Sequence, residues 1–158
     1  MKRGLFVQDA YDFSEALSII HCGVIDGFKV DADWFLHGEC GIFALALHDA
    51  LGYDLERMME PDSSEEGMPQ LVHIYCRGND GAYIDVRGTC PESDKDLFFE
   101  SEFGDWYTNV ADYSAVDGED LKQSILQFEM SQSTFAQFYN LAIRFIEQHR
   151  EWYKAEQT

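Results

Sequence analysis

A nearly uninterrupted apolar stretch follows Cys40 in this chain. From residue 42 to residue 51, only His48 and Asp49 are polar. A helix that is apolar around most of its circumference is buried inside a domain, and the glycine at position 52 is a typical helix C-cap. The pattern therefore predicts a buried central helix with Cys40 at its N-terminus.

Two further apolar segments predict an antiparallel β-hairpin. They span residues 71–76 and 82–87, and the loop between them contains an Asp-Gly turn sequence. In a hairpin that is symmetrical about Asn79, His73 lies directly opposite Asp85. Side chains that face each other in this way have Cβ atoms about 4.5–5.5 Å apart. We therefore expect these two side chains to be in contact.

The N-terminal region also shows helical spacing. Asp12 or Ser14 is a suitable N-cap for a helix that runs to about Cys22. The apolar positions that define its predicted core face are Phe13, Leu17, Ile20 and Val24. Residues 4–8 are expected to form a short strand or an extended segment before it.

The C-terminal region predicts two helices. Asp117 is the predicted N-cap of the first, which carries Leu121, Ile125 and Phe128. Thr134 and Gln137 resemble a capping box at the start of the second. Apolar positions at helical spacing in that last helix are Phe135, Phe138, Tyr139, Ala142, Phe145, Ile146, Trp152 and Tyr153.

Three segments between these elements are less regular. Residues 54–59 fit either a strand or a helical turn, and residues 60–69 have the composition of a surface loop that either connects two strands or overhangs a site. Residues 92–107 combine acidic side chains with clustered aromatics. We expect these aromatics to pack on the core, with a peptide-binding rim for a basic substrate as the alternative.

The chain is strongly acidic. Its 158 residues include 30 acidic and 11 basic side chains, which give a formal net charge of −19. This excess disfavours direct binding to nucleic acids or anionic membranes and favours a basic partner, although an acidic surface also simply promotes solubility. The length suits one domain, so we expect a single domain over residues 1–158.

Cysteine usage and the N-terminal residues bear on the compartment. The cysteines at positions 22, 40, 76 and 90 form no CxxC pair, which argues against a redox dithiol or a zinc ribbon. Free thiols indicate a reducing compartment. Polar residues interrupt the start of the chain, so neither a secretory signal nor a membrane span is predicted. We expect a cytoplasmic protein.

Cys40, His73 and Asp85 form a candidate catalytic triad. A helix N-terminus favours the thiolate, which is the reactive form of cysteine. A thiol nucleophile needs a base, and the base needs an orienting group. We predict that His73 is the base and that Asp85 holds its imidazole, with no cofactor and no metal. The alternative is that Cys40 is an ordinary core cysteine and that Asp85 pairs with Arg87, one strand step along.

Other candidate residues are weaker. His37 is close to Cys40 in sequence and is a rival base, whereas His48 lies too far along the same helix at about 1.5 Å per residue. A zinc site built from the triad residues and His37 has suitable ligand types but no spacing motif. Residues 78–81 are a turn and not a phosphate-binding loop.

The order of the triad residues resembles that of the papain-like and transglutaminase-like superfamily of thiol enzymes. In both, a cysteine begins a buried helix, a histidine follows on a strand, and an aspartate lies on the next strand. His73 and the segment Tyr-Ile-Asp-Val-Arg-Gly at residues 83–88 are also similar to arylamine N-acetyltransferases. The resemblance covers residues 34–88 and implies an α+β fold in which the central helix packs on an antiparallel sheet. The chain departs from papain at residues 42–44 and at Trp34, which stands where papain-like proteases carry an oxyanion-hole glutamine.

These observations predict a cysteine-dependent acyl-transfer enzyme of the peptidase, deamidase or transglutaminase type, acting on a protein or peptide amide. The three reactions differ in the acceptor and not in the triad. A basic substrate is expected from the charge of the chain. The alternative is a non-enzymatic acidic interaction protein, in which a papain-like scaffold imitates a polyanion and blocks a basic site on a partner, as small acidic inhibitors of phages and mobile elements do.

Overall fold

The chain has an α+β fold, as the sequence predicts. The computed structural model describes residues 1–9, 12–60, 70–107 and 111–155. The helices are α1 (Phe13–Ser18), α2 (Trp34–His37), α3 (Cys40–Leu51), α4 (Lys95–Tyr107), α5 (Gly118–Phe128) and α6 (Gln132–Gln148). The strands are β1 (His21–Ile25), β2 (Phe28–Asp31), β3 (Asp54–Glu60), β4 (Gln70–Arg77), β5 (Tyr83–Asp85), β6 (Gly88–Cys90) and β7 (Asp112–Val116). Short 3₁₀ helices cover Gly4–Val7, Glu92–Asp94 and Arg150–Tyr153.

The central helix α3 begins at Cys40, as predicted. Residues 42–47 are all buried, and α3 packs against both β4 and α6. Gly52 ends the helix in the left-handed region, with φ of 78°, and its N–H donates to the carbonyl of His48 at 3.0 Å. A glycine adopts this conformation without steric cost. The apolar run and its terminal glycine are thus sufficient to define this element.

An antiparallel sheet lies against α3. Within the described residues its strand order is β6-β5-β4-β3-β7, and β1 and β2 form a separate two-stranded sheet. Residues 54–59, whose sequence is compatible with either a strand or a helical turn, belong to strand β3. Strand β7 was not predicted, because its residues are half exposed and give only a weak apolar pattern.

The register of the β4–β5 hairpin differs from the predicted one. Cys76 pairs with Ile84 and Arg77 with Tyr83, so the hairpin is centred on Asp80 and not on Asn79. Continuing this register places Asp85 opposite Tyr75. Because the centre moves by a whole residue, side chains keep their faces, and Asp85 becomes the diagonal neighbour of His73. The predicted strand 82–87 is also shorter, because the chain turns at residues 86 and 87 and Gly88, which has φ of 126°, pairs with Asp85 as the first residue of β6.

The predicted N-terminal elements are partly wrong. Asp12 does cap a helix, since its side chain accepts the N–H of Glu15, but that helix ends at Ser18. Cys22 and Val24 lie in β1, and the predicted core residue Val24 is 57% exposed. The reason is the Asp-Gly pair at positions 26 and 27, whose φ values of 51° and 83° make the two-residue turn of a hairpin. Residues 4–7 form a 3₁₀ helix and not a strand.

The C-terminal helices follow the predicted pattern with two corrections. Asp117 caps α5 by accepting the N–H of Asp120, but Phe128 at its end is 76% exposed. The cap of α6 is Ser131, which accepts the N–H of Thr134, so the proposed capping box at Thr134 is wrong. The predicted core positions of α6 that are buried are Phe135, Phe138, Ala142, Phe145 and Ile146.

The acidic aromatic segment forms α4, which is interrupted at Phe103 (φ −129°, ψ 28°). As expected, its aromatic residues Phe98, Phe99 and Phe103 are buried. Residues 61–69, where a loop over the site was considered, lie outside the described residues. In the part of the chain that the structure describes, no helix combines the length and apolar character needed to cross a membrane.

Candidate active site

Cys40 lies where α3 meets an open edge of β4. Strand β5 pairs only with Cys76 and Arg77, so within the described residues β4 has no strand neighbour on that side before Cys76. The backbone N–H groups of Ile74, on β4, and of Gly41 stabilise negative charge on the Cys40 sulfur. The thiol is partly buried against the core. The N-terminus of α3 thus places the sulfur near Ile74, the residue that follows His73.

The pKa of the Cys40 thiol is raised, whereas the sequence predicts a lowered pKa. Burial raises the pKa of Cys40 to about 11, and the carboxylates of Asp85 and Glu39 act in the same direction. The N–H groups of Ile74 and Gly41 lower the pKa, but by less. The expectation of a thiolate stabilised by the helix N-terminus is therefore wrong for this structure, because desolvation of the charged form outweighs the dipole.

His73 and Asp85 are in contact, as expected. The imidazole Nε2 lies 2.9 Å from Asp85 Oδ2, and both side chains are almost completely buried. They meet as diagonal neighbours on the face of the sheet that α4 covers. Ile74 and Cys76 point to the opposite face, where Cys76 donates to the carbonyl of Ala44 at 3.3 Å. The sheet thus lies between the imidazole of His73 and α3, and the contacts of the described residues bring His73 to Asp85 but not to Cys40.

Arg87 holds the other side of the Asp85 carboxylate. Its Nη2 donates to Asp85 Oδ2 at 2.8 Å and its Nε donates to Oδ1 at 3.1 Å, while its backbone N–H donates to Oδ1 at 2.9 Å. The guanidinium is fully buried and also donates to the carbonyl of Phe98 and the hydroxyl of Ser101. The Asp85–Arg87 pairing considered from sequence is therefore present together with the His73 contact.

Burial and neighbouring charges together determine the protonation of Asp85 and His73. Burial raises the pKa of Asp85, but Arg87 and the hydrogen bond from His73 outweigh it and hold the pKa well below its ordinary value. Burial lowers the pKa of His73, and the neighbouring Asp85 only partly offsets this effect. Asp85 is therefore ionised and His73 is neutral near pH 7.

The second ring nitrogen of His73 is left without a partner. Its Nδ1 is buried and accepts or donates no hydrogen bond among the described residues. Phe103 of α4 stacks on the ring with centroids 4.6 Å apart, and Tyr75 flanks it at 5.7 Å. A buried polar atom without a partner costs free energy and is uncommon in folded proteins. The structure thus holds the imidazole by Nε2 and leaves Nδ1 available.

The two other histidines considered are engaged elsewhere. His37 Nε2 contacts the Ser14 hydroxyl at 2.7 Å and Glu102 at 3.4 Å, and the hydrogen bond with Glu102 raises the pKa of His37. His48 Nδ1 contacts the carbonyl of Tyr53 at 2.6 Å. Among the residues that the structure describes, His48 has no carboxylate on its ring, and the side chain of His37 is 41% exposed, whereas His73 is completely buried against its carboxylate. Within the described residues no group of three His, Cys, Asp or Glu side chains is arranged to hold a metal ion.

A groove of about 400 Å³ lies close to Gly41, the residue that follows Cys40, and we call it the acidic groove. Ile74 and Leu121 line it, and a Cβ placed on Gly41 would lie 3.5–3.6 Å from their Cδ1 atoms. The charged residues that line it are Arg57, Asp117, Asp120 and Glu129. The groove therefore opens next to the residue that follows Cys40.

Sequence reasoning missed the buried role of Arg87 and the cover formed by Phe103. An Asp-x-Arg sequence on a strand was visible, but full burial of the arginine depends on aromatic rings from distant segments, which stack over it.

Comparisons with protein-family models, with curated proteins and with solved structures find no match for this chain.

Proposed function

We propose that this chain is a cysteine-dependent acyl-transfer enzyme that acts on amide bonds, with Cys40 as nucleophile, His73 as general base and Asp85 as the group that orients the base. The supporting observation is the partnerless Nδ1 of His73, whose ring is fixed by Asp85, together with the position of Ile74, the next residue, whose backbone N–H stabilises negative charge on the Cys40 sulfur. A thiol, a base and an orienting carboxylate in this order are what nucleophilic catalysis needs. On this proposal the papain-like or transglutaminase-like resemblance extends to the site.

The first half of the reaction forms a thioester. The thiol proton of Cys40 moves to His73 Nδ1 while the sulfur–carbon bond forms, and the carbonyl electron pair moves to the oxygen. Backbone N–H groups at the start of α3 stabilise this oxyanion. When the carbonyl re-forms, the carbon–nitrogen bond breaks, and His73 returns its proton to the leaving nitrogen.

The second half releases the acyl group. Water or an amine attacks the thioester and gives its proton to His73, and that proton reaches the sulfur as the sulfur–carbon bond breaks. Water gives hydrolysis or deamidation, whereas an amine gives transamidation. Asp85 keeps the imidazole oriented and stabilises its transient positive charge, and Arg87 keeps Asp85 ionised throughout.

The resting pair is neutral, which gives the mechanism a pH signature. Because the pKa of Cys40 is about 11 and that of His73 lies below its ordinary value, proton transfer accompanies attack and does not precede it. A rate that depends on neutral His73 is constant above the pKa of that imidazole. A rate that depends on free thiolate instead rises about tenfold per pH unit up to the thiol pKa.

The proposal is tested with p-nitrophenyl acetate, an activated acyl donor that needs no knowledge of the substrate. We expect release of p-nitrophenolate, transient acetylation of Cys40 detected by mass spectrometry, and a rate that is constant from about pH 7 to pH 9. Cys40→Ala should abolish the reaction. The matched control is Cys22→Ala, because Cys22 is also a half-buried thiol whose pKa burial raises to about 11.

His73→Asn separates general-base catalysis from simple thiol reactivity. We expect a fall in acylation rate of about 10²–10⁴-fold, the usual contribution of a general base, with retained circular dichroism. Should this variant fail to fold, the wild-type pH profile decides alone. A rate that climbs steadily to pH 9, or acetylation of Cys22 as fast as Cys40, would overturn the proposal.

A further inference from the structure

The acidic groove adjoins the thiol through shared residues. Ile74 lines the groove, and its backbone N–H stabilises negative charge on the Cys40 sulfur. Leu121 also lines the groove and lies close to Gly41. A group bound in this groove is therefore within one residue of the nucleophile. Its volume of about 400 Å³ falls within the usual range of ligand pockets.

The charges along the groove are predominantly negative. Asp117, Asp120 and Glu129 line it, against the single cation Arg57. The Nε of that arginine donates to the Ser114 hydroxyl at 3.0 Å, on the neighbouring strand β7. An apolar floor and carboxylates at the rim match the two parts of a long basic side chain, since its methylene stem packs on apolar surface while its charged end binds carboxylates.

The interaction of Glu39 with Glu129, which lines the groove, points to the same kind of ligand. Burial and the neighbouring charge of Glu129 raise the pKa of Glu39, the residue before Cys40, to about 7. Burial likewise raises the pKa of Glu129. Neither carboxylate has an ion-pair partner among the described residues. Glu39 is half-buried and Glu129 is exposed, and a cation that binds near both carboxylates offsets their mutual repulsion.

We infer that the acidic groove binds a lysine or arginine side chain of the protein or peptide substrate, next to the amide that Cys40 attacks. This inference rests on the proposed acyl-transfer function and names the substrate class and the residues that select it. Glu129 and Asp120 contact the cation, and Leu121 packs on its stem. Since the charge of Glu39 disfavours the thiolate, the bound cation also removes an electrostatic obstacle to attack.

The test uses three methanethiosulfonates that differ in charge: the cationic 2-aminoethyl, the neutral methyl and the anionic 2-sulfonatoethyl reagents. In each case the thiol sulfur forms a mixed disulfide and methanesulfinate leaves, so no catalytic turnover is required. Rates at Cys40 and Cys22 are followed by mass spectrometry in the same sample, at about 0.1 M salt. The ratio of the cationic to the anionic reagent's rate at Cys22 corrects for the overall negative charge of the protein and for the intrinsic reactivity of the reagents.

We expect the cationic-to-anionic rate ratio at Cys40 to exceed that at Cys22 by about tenfold, the lower range of electrostatic focusing in a cleft. Glu129→Gln and Asp120→Asn should each reduce this preference by roughly two- to fivefold. The matched control is Glu119→Gln, which removes the same charge from α5 at an exposed residue that does not line the groove. This control should leave the preference unchanged.

Each outcome decides a separate point. Equal charge preference at the two cysteines, or a preference that Glu119→Gln reduces as much as Glu129→Gln, overturns the groove inference while the acyl-transfer proposal stands. A groove-dependent preference in a protein whose Cys40 does not react with p-nitrophenyl acetate retains the cation site and overturns the enzyme proposal. Failure of every reagent to label Cys40 in the folded protein overturns the inference, because the groove then gives no access to the thiol.

Discussion

Asp85→Asn is the substitution that most directly probes the buried cluster. It keeps the volume of the side chain and removes its negative charge. In the native protein this carboxylate accepts three hydrogen bonds from the Arg87 side chain, one from the Arg87 backbone and one from His73. The guanidinium is fully buried, so the lost charge cannot be replaced by water without opening the core.

The expected loss of stability is large. Removing one partner of a buried ion pair costs about 3–5 kcal/mol, because the other charge stays buried and uncompensated. Arg87 retains the carbonyl of Phe98 and the hydroxyl of Ser101, which places the loss toward the lower end, about 3 kcal/mol. Replacing Arg87 by methionine as well removes the stranded charge, so the double variant should recover part of the loss.

Urea unfolding followed by circular dichroism measures this loss. Because the pKa of Asp85 lies below its ordinary value in the folded state, the carboxylate contributes its full stability above about pH 4, and this contribution is lost as the pH falls further. The penalty of Asp85→Asn should therefore be constant between about pH 5 and pH 8 and shrink in acid. The matched control is Asp117→Asn, the same change at an exposed helix cap, where asparagine caps equally well and the expected change is within about 0.5 kcal/mol.

A loss below about 1 kcal/mol for Asp85→Asn would refute the reasoning, because Arg87 would then not depend on this carboxylate. A penalty of equal size in the double variant would refute it too, since the cost could not come from a stranded guanidinium. Activity measurements on Asp85→Asn are informative only when its folded fraction is known, because this residue both orients His73 and stabilises the fold.

Two further predictions concern stability. Glu39→Gln should raise the free energy of unfolding by about 1 kcal/mol at pH 8 and leave it unchanged at pH 4. The pKa of Glu39 is raised to about 7 in the folded protein, so the stability of the wild type falls as the pH rises from about 4.5 to about 7. Partial exposure of this side chain reduces the size of the effect. A gain of the same size at both pH values would contradict this origin. Gly88→Ala should cost about 2–4 kcal/mol, because its φ is 126° and a Cβ there would lie 2.4 Å from the carbonyl oxygen of Arg3. Gly52→Ala has φ of 78° and open space, so thermal unfolding should show a loss of only about 1 kcal/mol.

The central helix could be predicted because its determinants are local. An apolar run and a terminal glycine specify α3 without reference to the rest of the chain. The contact between His73 and Asp85 was predicted for a partly wrong reason, since the register is centred on Asp80 and not on Asn79. A shift of the hairpin centre by one residue moves the partner by two positions, and side chains two apart share a face. The contact therefore tolerates the error.

The parts that sequence reasoning missed depend on distant packing or on an overlooked turn. The Asp-Gly turn at residues 26–27 is a local hairpin signal, and recognising it would have ended the predicted helix before Cys22. The burial of Arg87 gives no such signal, because it needs rings from three separate segments, Phe6, Phe13 and Phe98, to surround the guanidinium. The raised pKa of Cys40 is likewise a property of the assembled core and not of the helix that carries it.

These charges determine how the proposed thiol chemistry is switched on. Arg87 neutralises Asp85, so the positive charge that His73 gains on taking a proton receives support from one neighbour and opposition from the other. Burial and Glu39 both disfavour a thiolate at Cys40. A resting ion pair between sulfur and imidazole therefore has little driving force in the free protein. On the proposed mechanism the missing stabilisation comes with the substrate, because a cation in the acidic groove offsets Glu39 and Glu129 only when it is bound. On this mechanism, selection of a basic substrate and activation of the nucleophile have the same physical origin. Neutralising Glu129 should therefore lower the acylation rate for a basic acyl donor and leave the rate for a neutral donor unchanged.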